Sequence, residues 1–231
     1  MTRSGIDADA LIRQLSEATA KQGDAVRESV QQATLKALQG RELTLKSIKD
    51  ALKVVTQAVS AGAAQNPVAS GVDALLAQAV AGMDAAVLRA VEASRRALEQ
   101  LVEQGVALQD KQLKKAMTDL EKMEDTLFGA IHKAAGDAAG GLQAPWAQAL
   151  QGFKQDGSAT GGAAQNAIQQ LTTQSQAALR EGRALGQRTA QALLDHYAAL
   201  ASGVLIGMSG AMAGAPGADV GSAAKPSRAK R

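Results

Sequence analysis

His132 and His196 are the only histidines of the chain, and they stand 64 positions apart. A metal-binding or catalytic histidine needs a second ligand or base at short spacing, such as i+4 on a helix. Neither has one, and the chain has no Cys to supply it. Carboxylates are denser: Asp119, Glu121, Glu124 and Asp125 fall within two helical turns. Paired carboxylates do acid–base work when they share a dry site. Here Lys115 and Lys122 stand among them, which is the pattern of a solvated helix face. "GSATGG" at 157–162 is rich in Gly but has neither the strand before it nor the GK[ST] ending of a phosphate cradle. Arg180, Arg183 and Arg188, with Glu181 and Asp195 beside them, read as helix-surface charge or as a polar collar at the edge of an apolar surface. No set of groups converges on a reaction, so we expect a non-enzymatic protein with no cofactor and no metal site.

The collar leads into "YAALASGVLIGMSGAMAGAPGA", 22 uncharged residues from Tyr197 to Ala218. On a helical wheel Gly203, Gly207, Gly210 and Gly214 share an arc of roughly 60°. Leu205, Met208 and Met212 lie on the opposite side with Leu194 and Ala201. The glycine arc is expected to allow close helix packing. Leu200, Leu205, Met208 and Met212 are expected to dock on an apolar surface. The stretch is long enough for a membrane span, but its few strong insertion residues, Leu200, Val204, Leu205 and Ile206, make it a weak one.

The elements that must position this segment are helical. From Ile6 to about Gly62, apolar residues recur at Leu38, Leu45, Ile48, Leu52, Val55 and Val59 in steps of three and four or one heptad, a coiled-coil seam. "AGAAQNPVASG" at 61–71 breaks it. A second seam runs through Val87, Val91, Leu98, Leu101 and Leu108, then shifts by one residue to Leu113, Met117, Leu120, Leu127 and Ile131. Read as a stutter, this gives one helix over 73–135, about 90 Å long. Residues 136–163, rich in Gly and interrupted by Pro145, read as a flexible linker with a short apolar insert around Trp146, Leu150 and Phe153. A third helix is expected from Ala164 to Gly214, with a weak seam of Ile168, Leu171, Ala178, Leu185, Leu193 and Leu200. A disordered basic tail is expected over 215–231.

Composition agrees with thin helices. The 231 residues include four aromatics, Phe128, Trp146, Phe153 and Tyr197, and hydrophobics reach 46% largely through Ala. Ala buries little area but favours helix. The expected fold is all-α: long amphipathic helices forming a helical hairpin or coiled-coil bundle over 6–135, the linker, the C-terminal helix and the tail. The net charge of +3 is a property of the tail: without "KPSRAKR" and its four basic residues, 21 basic side chains face 22 acidic ones. So short a basic tail makes nucleic acid a poor expectation as the main partner. "MTRSGIDADALIRQLSE" has no apolar leader core, so the expected location is cytoplasmic.

The Ala- and Gln-rich helices, the scarcity of aromatics, the lack of Cys and the ending "SAAKPSRAKR" resemble the phasins, helical proteins that coat polyhydroxyalkanoate storage granules in bacteria. "GMDAAVLRAVEASRRALEQLVEQGVALQDKQLKKAMTDLEKMEDTL" (82–127) is similar in style to related Ala-rich helical proteins of proteobacteria. The resemblance implies a coat or scaffold protein on a granule surface. The residues alone leave two alternatives: a soluble coiled-coil assembly protein that self-associates, and a protein anchored in a membrane by its C-terminal segment.

Overall fold

The structure is a computed structural model. It describes residues 8–17, 23–39, 41–65, 71–103, 111–138, 141–180 and 197–212. These hold eight helices and no strand: α1 (Ala8–Glu17), α2 (Gly23–Leu38), α3 (Leu45–Gln65), α4 (Val72–Glu103), α5 (Lys111–Gly136), α6 (Gln143–Asp156), α7 (Ala159–Arg180) and α8 (Tyr197–Met212). The class is all-α, as the spacing predicts.

α4 is the centre. Of its 32 residues 17 are buried, and they cover an arc of about 200°, twice the usual stripe of a surface helix. So wide a stripe takes several partners: α2, α6, α7 and α8 pack on it, and α3 and α5 touch it as well. Much of the stripe is small, with Ala79, Ala86, Ala90, Ala93 and Ala97 fully buried. Small side chains let helices approach closely, and Gly82 is the extreme case. A Cβ there would overlap the Arg27 carbonyl oxygen and stand 3.0 Å from Val30 Cβ on α2.

A second layer forms around α3, which packs on α1 and α5. Ile48, Leu52, Val55 and Val59 are fully buried in it, as are Leu120, Leu127 and Ile131 of α5. α3 starts with reciprocal capping: the Ser47 N–H donates to Thr44 Oγ1 at 3.2 Å, and the Thr44 N–H donates to Ser47 Oγ at 3.0 Å.

The seam residues are therefore core, but the core of a multi-helix bundle. Ile48, Leu52, Val55, Leu98, Leu101, Leu120 and Leu127 are buried. Leu45 and Met117 are half-buried, and Ala116 takes the interior place beside Met117. Leu108 and the Leu113 side chain lie outside the described residues.

Three expected elements are corrected. The first pattern, Ile6 to Gly62, is divided among α1, α2 and α3, because α1 turns to pack on α3. The 73–135 helix is two helices. Asp84 and Glu124, 40 residues apart, meet at the start of α7; on one straight helix they would be about 60 Å apart. The one-residue shift of the seam marks the end of α4 and the start of α5. The 164–214 helix is likewise divided. Gln170 hydrogen-bonds Arg95 at 3.4 Å while Tyr197 stands beside Ser94, where a straight helix would separate Gln170 and Tyr197 by about 40 Å. Residues 215–231, expected as a disordered tail, lie outside the described residues.

The expected Gly-rich linker also carries structure: α6 and the start of α7 occupy it. Trp146 is fully buried, and its Nε1–H donates to Ser60 Oγ at 3.0 Å. Ser60 Oγ donates to the Thr56 carbonyl at 2.8 Å, and Thr56 Oγ1 lies 3.5 Å from Met83 Sδ. This chain of polar contacts ties α6 to α3 and α4. Phe153 of α6 meets Phe128 of α5 edge to face, with centroids 6.3 Å apart.

Gly82→Ala should destabilise the bundle by about 1–3 kcal/mol, because forced separation of α2 and α4 exceeds the gain in helix propensity. Gly129→Ala, in a helix interior with nothing within 4 Å of the added Cβ, should stabilise it by up to about 1 kcal/mol. Chemical denaturation of the two variants measures the opposite signs.

Candidate functional site

Where polar groups do converge is the start of α7. Gly157 (φ 81°) reverses the chain after α6, a left-handed conformation that glycine adopts without strain. Ser158 then caps α7: its Oγ accepts the Gly161 N–H at 2.9 Å and donates to Glu124 of α5. Asp84, buried in α4, accepts the Ala159 N–H at 3.1 Å and the Thr160 N–H at 3.1 Å on its two carboxylate oxygens. Thr160 Oγ1 donates to the Asp84 carbonyl at 3.1 Å. The first N–H groups of a helix carry partial positive charge, so two carboxylates are well placed there. Gly161 leaves the space that the Glu124 carboxylate fills.

Beside this joint is a cleft of about 460 Å³ lined by Glu121, Glu124, Gly161, Ala164, Gln165, Ile168 and Gln169. Of the two carboxylates that line it, Glu124 is engaged with Ser158 and Glu121 is exposed. The acidic cluster read from the sequence is dispersed. Glu121 and Asp125 are exposed, Asp119 and Glu124 half-buried. "GSATGG" is the capped start of α7. His132 is exposed, and His196, Arg183 and Arg188 and the side chain of Arg180 lie outside the described residues. Among the described residues no three His, Asp or Glu side chains form a metal-holding group.

Tyr197–Met212 of the uncharged segment forms α8. It lies on α4 and is clipped to the joint between α2 and α3: Ser202 Oγ donates to the Arg41 carbonyl at 2.5 Å, and the Leu43 N–H donates to the Ala198 carbonyl at 3.2 Å. Ala201 and Leu205 are fully buried, and Tyr197, Val204 and Met208 pack against the core. The Tyr197 phenol is desolvated where α8 packs on α4, and this burial pushes its pKa up to about 12, with the Asp119 carboxylate adding to the shift. Ser94 Oγ stands beside it and opposes the shift, without meeting strict hydrogen-bond geometry.

The other side of α8 faces out. Ala199, Leu200, Gly203, Ile206 and Gly207 are exposed. Leu200 and Ile206 flank a floor of Ala199, Gly203 and Gly207, and a shallow hollow of about 510 Å³ is lined by Ala199, Leu200, Gly203 and Val204. The expected assignment of faces is thus reversed. Leu205 and Met208, expected to dock on a foreign surface, pack into the protein's own core. Gly203 and Gly207, expected at a close helix contact, have nothing within 4 Å of an added Cβ. Leu200 alone of the docking set is exposed. The side chain of Met212, the environment of Gly210, and Gly214 lie outside the described residues. The default that a bulky ridge faces the core was the signal that assigns the sides correctly.

α4 is the one helix among the described residues long and apolar enough to cross a membrane, and 61% of its most apolar window is buried in the bundle. The described part of α8, 16 residues long, is shorter than the roughly 20 that a span requires.

Two measurements test these joints. Asp84→Ala removes the acceptor of two N–H groups and should cost on the order of 2 kcal/mol in a denaturant titration. Tyr197 is neutral in the fold up to its raised pKa and ionises near pH 10 when unfolded. Its contribution is therefore complete below pH 10 and lost as pH rises towards 12. Stability measured across that window should fall less steeply for Tyr197→Phe than for the wild type.

No curated protein and no solved structure matches the chain. A family model does match, over residues 1–214, a span that contains all eight helices. The chain belongs to the family of unknown function DUF6781.

Proposed function

We propose that this chain is a non-enzymatic helical coat protein, phasin-like in its action, that attaches in the cytoplasm to the apolar surface of storage granules through the outward face of α8. One observation carries the reading. The exposed large hydrophobics among the described residues, Leu200 (37% exposed) and Ile206 (46%), both lie on that face. Scattered apolar residues on a surface carry no meaning. Two on one uncharged helix, with Ala and Gly between them, form a continuous apolar strip whose transfer from water is favourable. The carboxylates that converge elsewhere cap α7, which supports a binding role over a catalytic one.

A second reading is self-association through the same face. The Ala199, Gly203 and Gly207 floor would let another helix approach closely, with Leu200 and Ile206 packing on either side.

In cells that accumulate polyhydroxyalkanoate, the tagged full-length chain should co-localise with granules. The variant Leu200→Asp/Ile206→Asp should become diffuse while keeping its helical circular dichroism, since more than a third of each residue is already exposed to water. A diffuse wild type in granule-filled cells contradicts attachment. Light scattering of the same pair without granules separates the second reading: only self-association makes the wild type heavier than the variant.

A further inference from the structure

We infer that α8 is a strap over α4 that opens by unwinding as a unit while the rest of the bundle stays folded, and so bares the side of α4 around Ser94. The inference stands apart from the attachment reading, which concerns the outer face of α8 in the closed molecule.

Topology permits the motion. α8 packs on α4, and two hydrogen bonds clip it to the joint between α2 and α3, from Ser202 to the Arg41 carbonyl and from Leu43 to the Ala198 carbonyl. Among the described residues no other helix makes an extended contact with α8, so none has to move to release it.

The hold on α8 is small. Ala201 and Leu205 are its fully buried apolar side chains, with Tyr197, Val204 and Met208 packed beside them. α6, of similar length, inserts the whole of Trp146. Gly203, Gly207 and Gly210 lie inside α8, and each favours unwinding about fivefold relative to Ala. Gly203 and Gly207 recover none of this through packing, since nothing lies within 4 Å of an added Cβ. α8 also has no charged residue, and therefore no ion pair along its surface. Few buried apolar contacts and a solvated outer side mark a segment that opens below global unfolding.

The closed state carries a cost that opening removes. Ser94 is fully buried beside Tyr197. Among the described residues its Oγ and Gln174 Oε1 are the buried side-chain atoms without a hydrogen-bond partner. A buried hydroxyl in that state is destabilising, and access to water restores the bond. Ala90, Val91, Ala97 and Leu98 surround Ser94 at three- and four-residue spacing, all fully buried. The open state presents apolar area there that the closed state hides, and the strap makes that area conditional.

Tyr197 is the one tyrosine of the chain, and Cys is absent, so the nitrotyrosine formed by tetranitromethane reads the exposure of this residue alone. Hydrogen exchange of the α8 amides reads the same opening. In the full-length wild type those amides should exchange at least about tenfold faster than the slowest amides of α4. Gly203→Ala/Gly207→Ala strengthens the helix without a new contact and should slow both exchange and nitration on the order of ten- to thirtyfold. Asp84→Ala, which weakens the bundle at the joint with α7, should leave both rates within about twofold. Gly129→Ala, in α5, should do the same. If α8 is released only by global unfolding, Asp84→Ala speeds nitration on the order of thirtyfold and Gly129→Ala slows it up to about fivefold. Either result overturns the inference, and the stabilised Gly129 variant decides it should Asp84→Ala fail to fold. Protection of α8 equal to that of the slowest α4 amides overturns it, as do unchanged rates in the Gly203/Gly207 variant. Wild-type nitration as fast as that of free tyrosine overturns it from the other side, because no closed strap would then exist.

Discussion

How closely helices can approach α4 governs this bundle. A chain with four aromatics in 231 residues must fill its interior with Ala, Val and Leu. Protein interiors are packed to crystal-like density, and Ala fills space only when backbones come near. The fully buried Ala79, Ala86, Ala90, Ala93 and Ala97 are such positions, and Gly82 against the Arg27 carbonyl is the limit of the same trend. A surface helix buries a stripe of about 100°; α4 gives up twice that and becomes the common floor of α2, α6, α7 and α8.

An interior of small apolar side chains has a weakness, because one Ala or Leu face resembles the next and sliding costs little. Polar contacts remove that freedom, since a hydrogen bond is satisfied at one register only. Asp84 fixes Ala159 and Thr160, and Arg95 meets Gln170 at the same offset of 75 residues, so α7 runs parallel to α4 with its register set at two levels. Ser158 and Glu124 bring α5 to that joint, and Trp146 through Ser60 locks α6. A buried carboxylate is expensive unless its oxygens are taken up; two backbone N–H groups and the positive end of α7 do so. The Asp84 carboxylate is thereby engaged in holding α7 on α4.

The all-α class and most of the core were legible in the sequence. The three/four spacing of Ile48, Leu52, Val55, Leu98, Leu120 and Leu127 names residues that are buried. Helix ends were not legible. A seam that shifts by one residue between Leu108 and Leu113 satisfies a stutter and a chain reversal equally, and only the meeting of Asp84 with Glu124 tells them apart. Trp146 was hidden differently: glycines on both sides suggest a linker, yet Gly141 and Gly157 serve as turns with positive φ that bracket α6. For α8 the two faces were visible, and only the bulk of Leu205 and Met208 marked which one is inside. Solvated faces are normally marked by charge, as α5 is by Lys114, Lys115, Glu121, Lys122 and Asp125, all exposed. α8 has no charge, so the usual mark is missing.

That missing mark is what sets α8 apart energetically. A helix clipped by Ser202 and Leu43 and anchored by Ala201 and Leu205 must place something on its outer side. Charged residues there would favour water; a full row of Leu would favour aggregation. Gly203 and Gly207 lower helix propensity by about 1 kcal/mol each relative to Ala, and the fold gains no close contact from them. They do reduce the apolar area between Leu200 and Ile206. The outer face is left uncharged enough to accept an apolar surface and sparse enough to tolerate water, a compromise that suits reversible attachment better than either extreme.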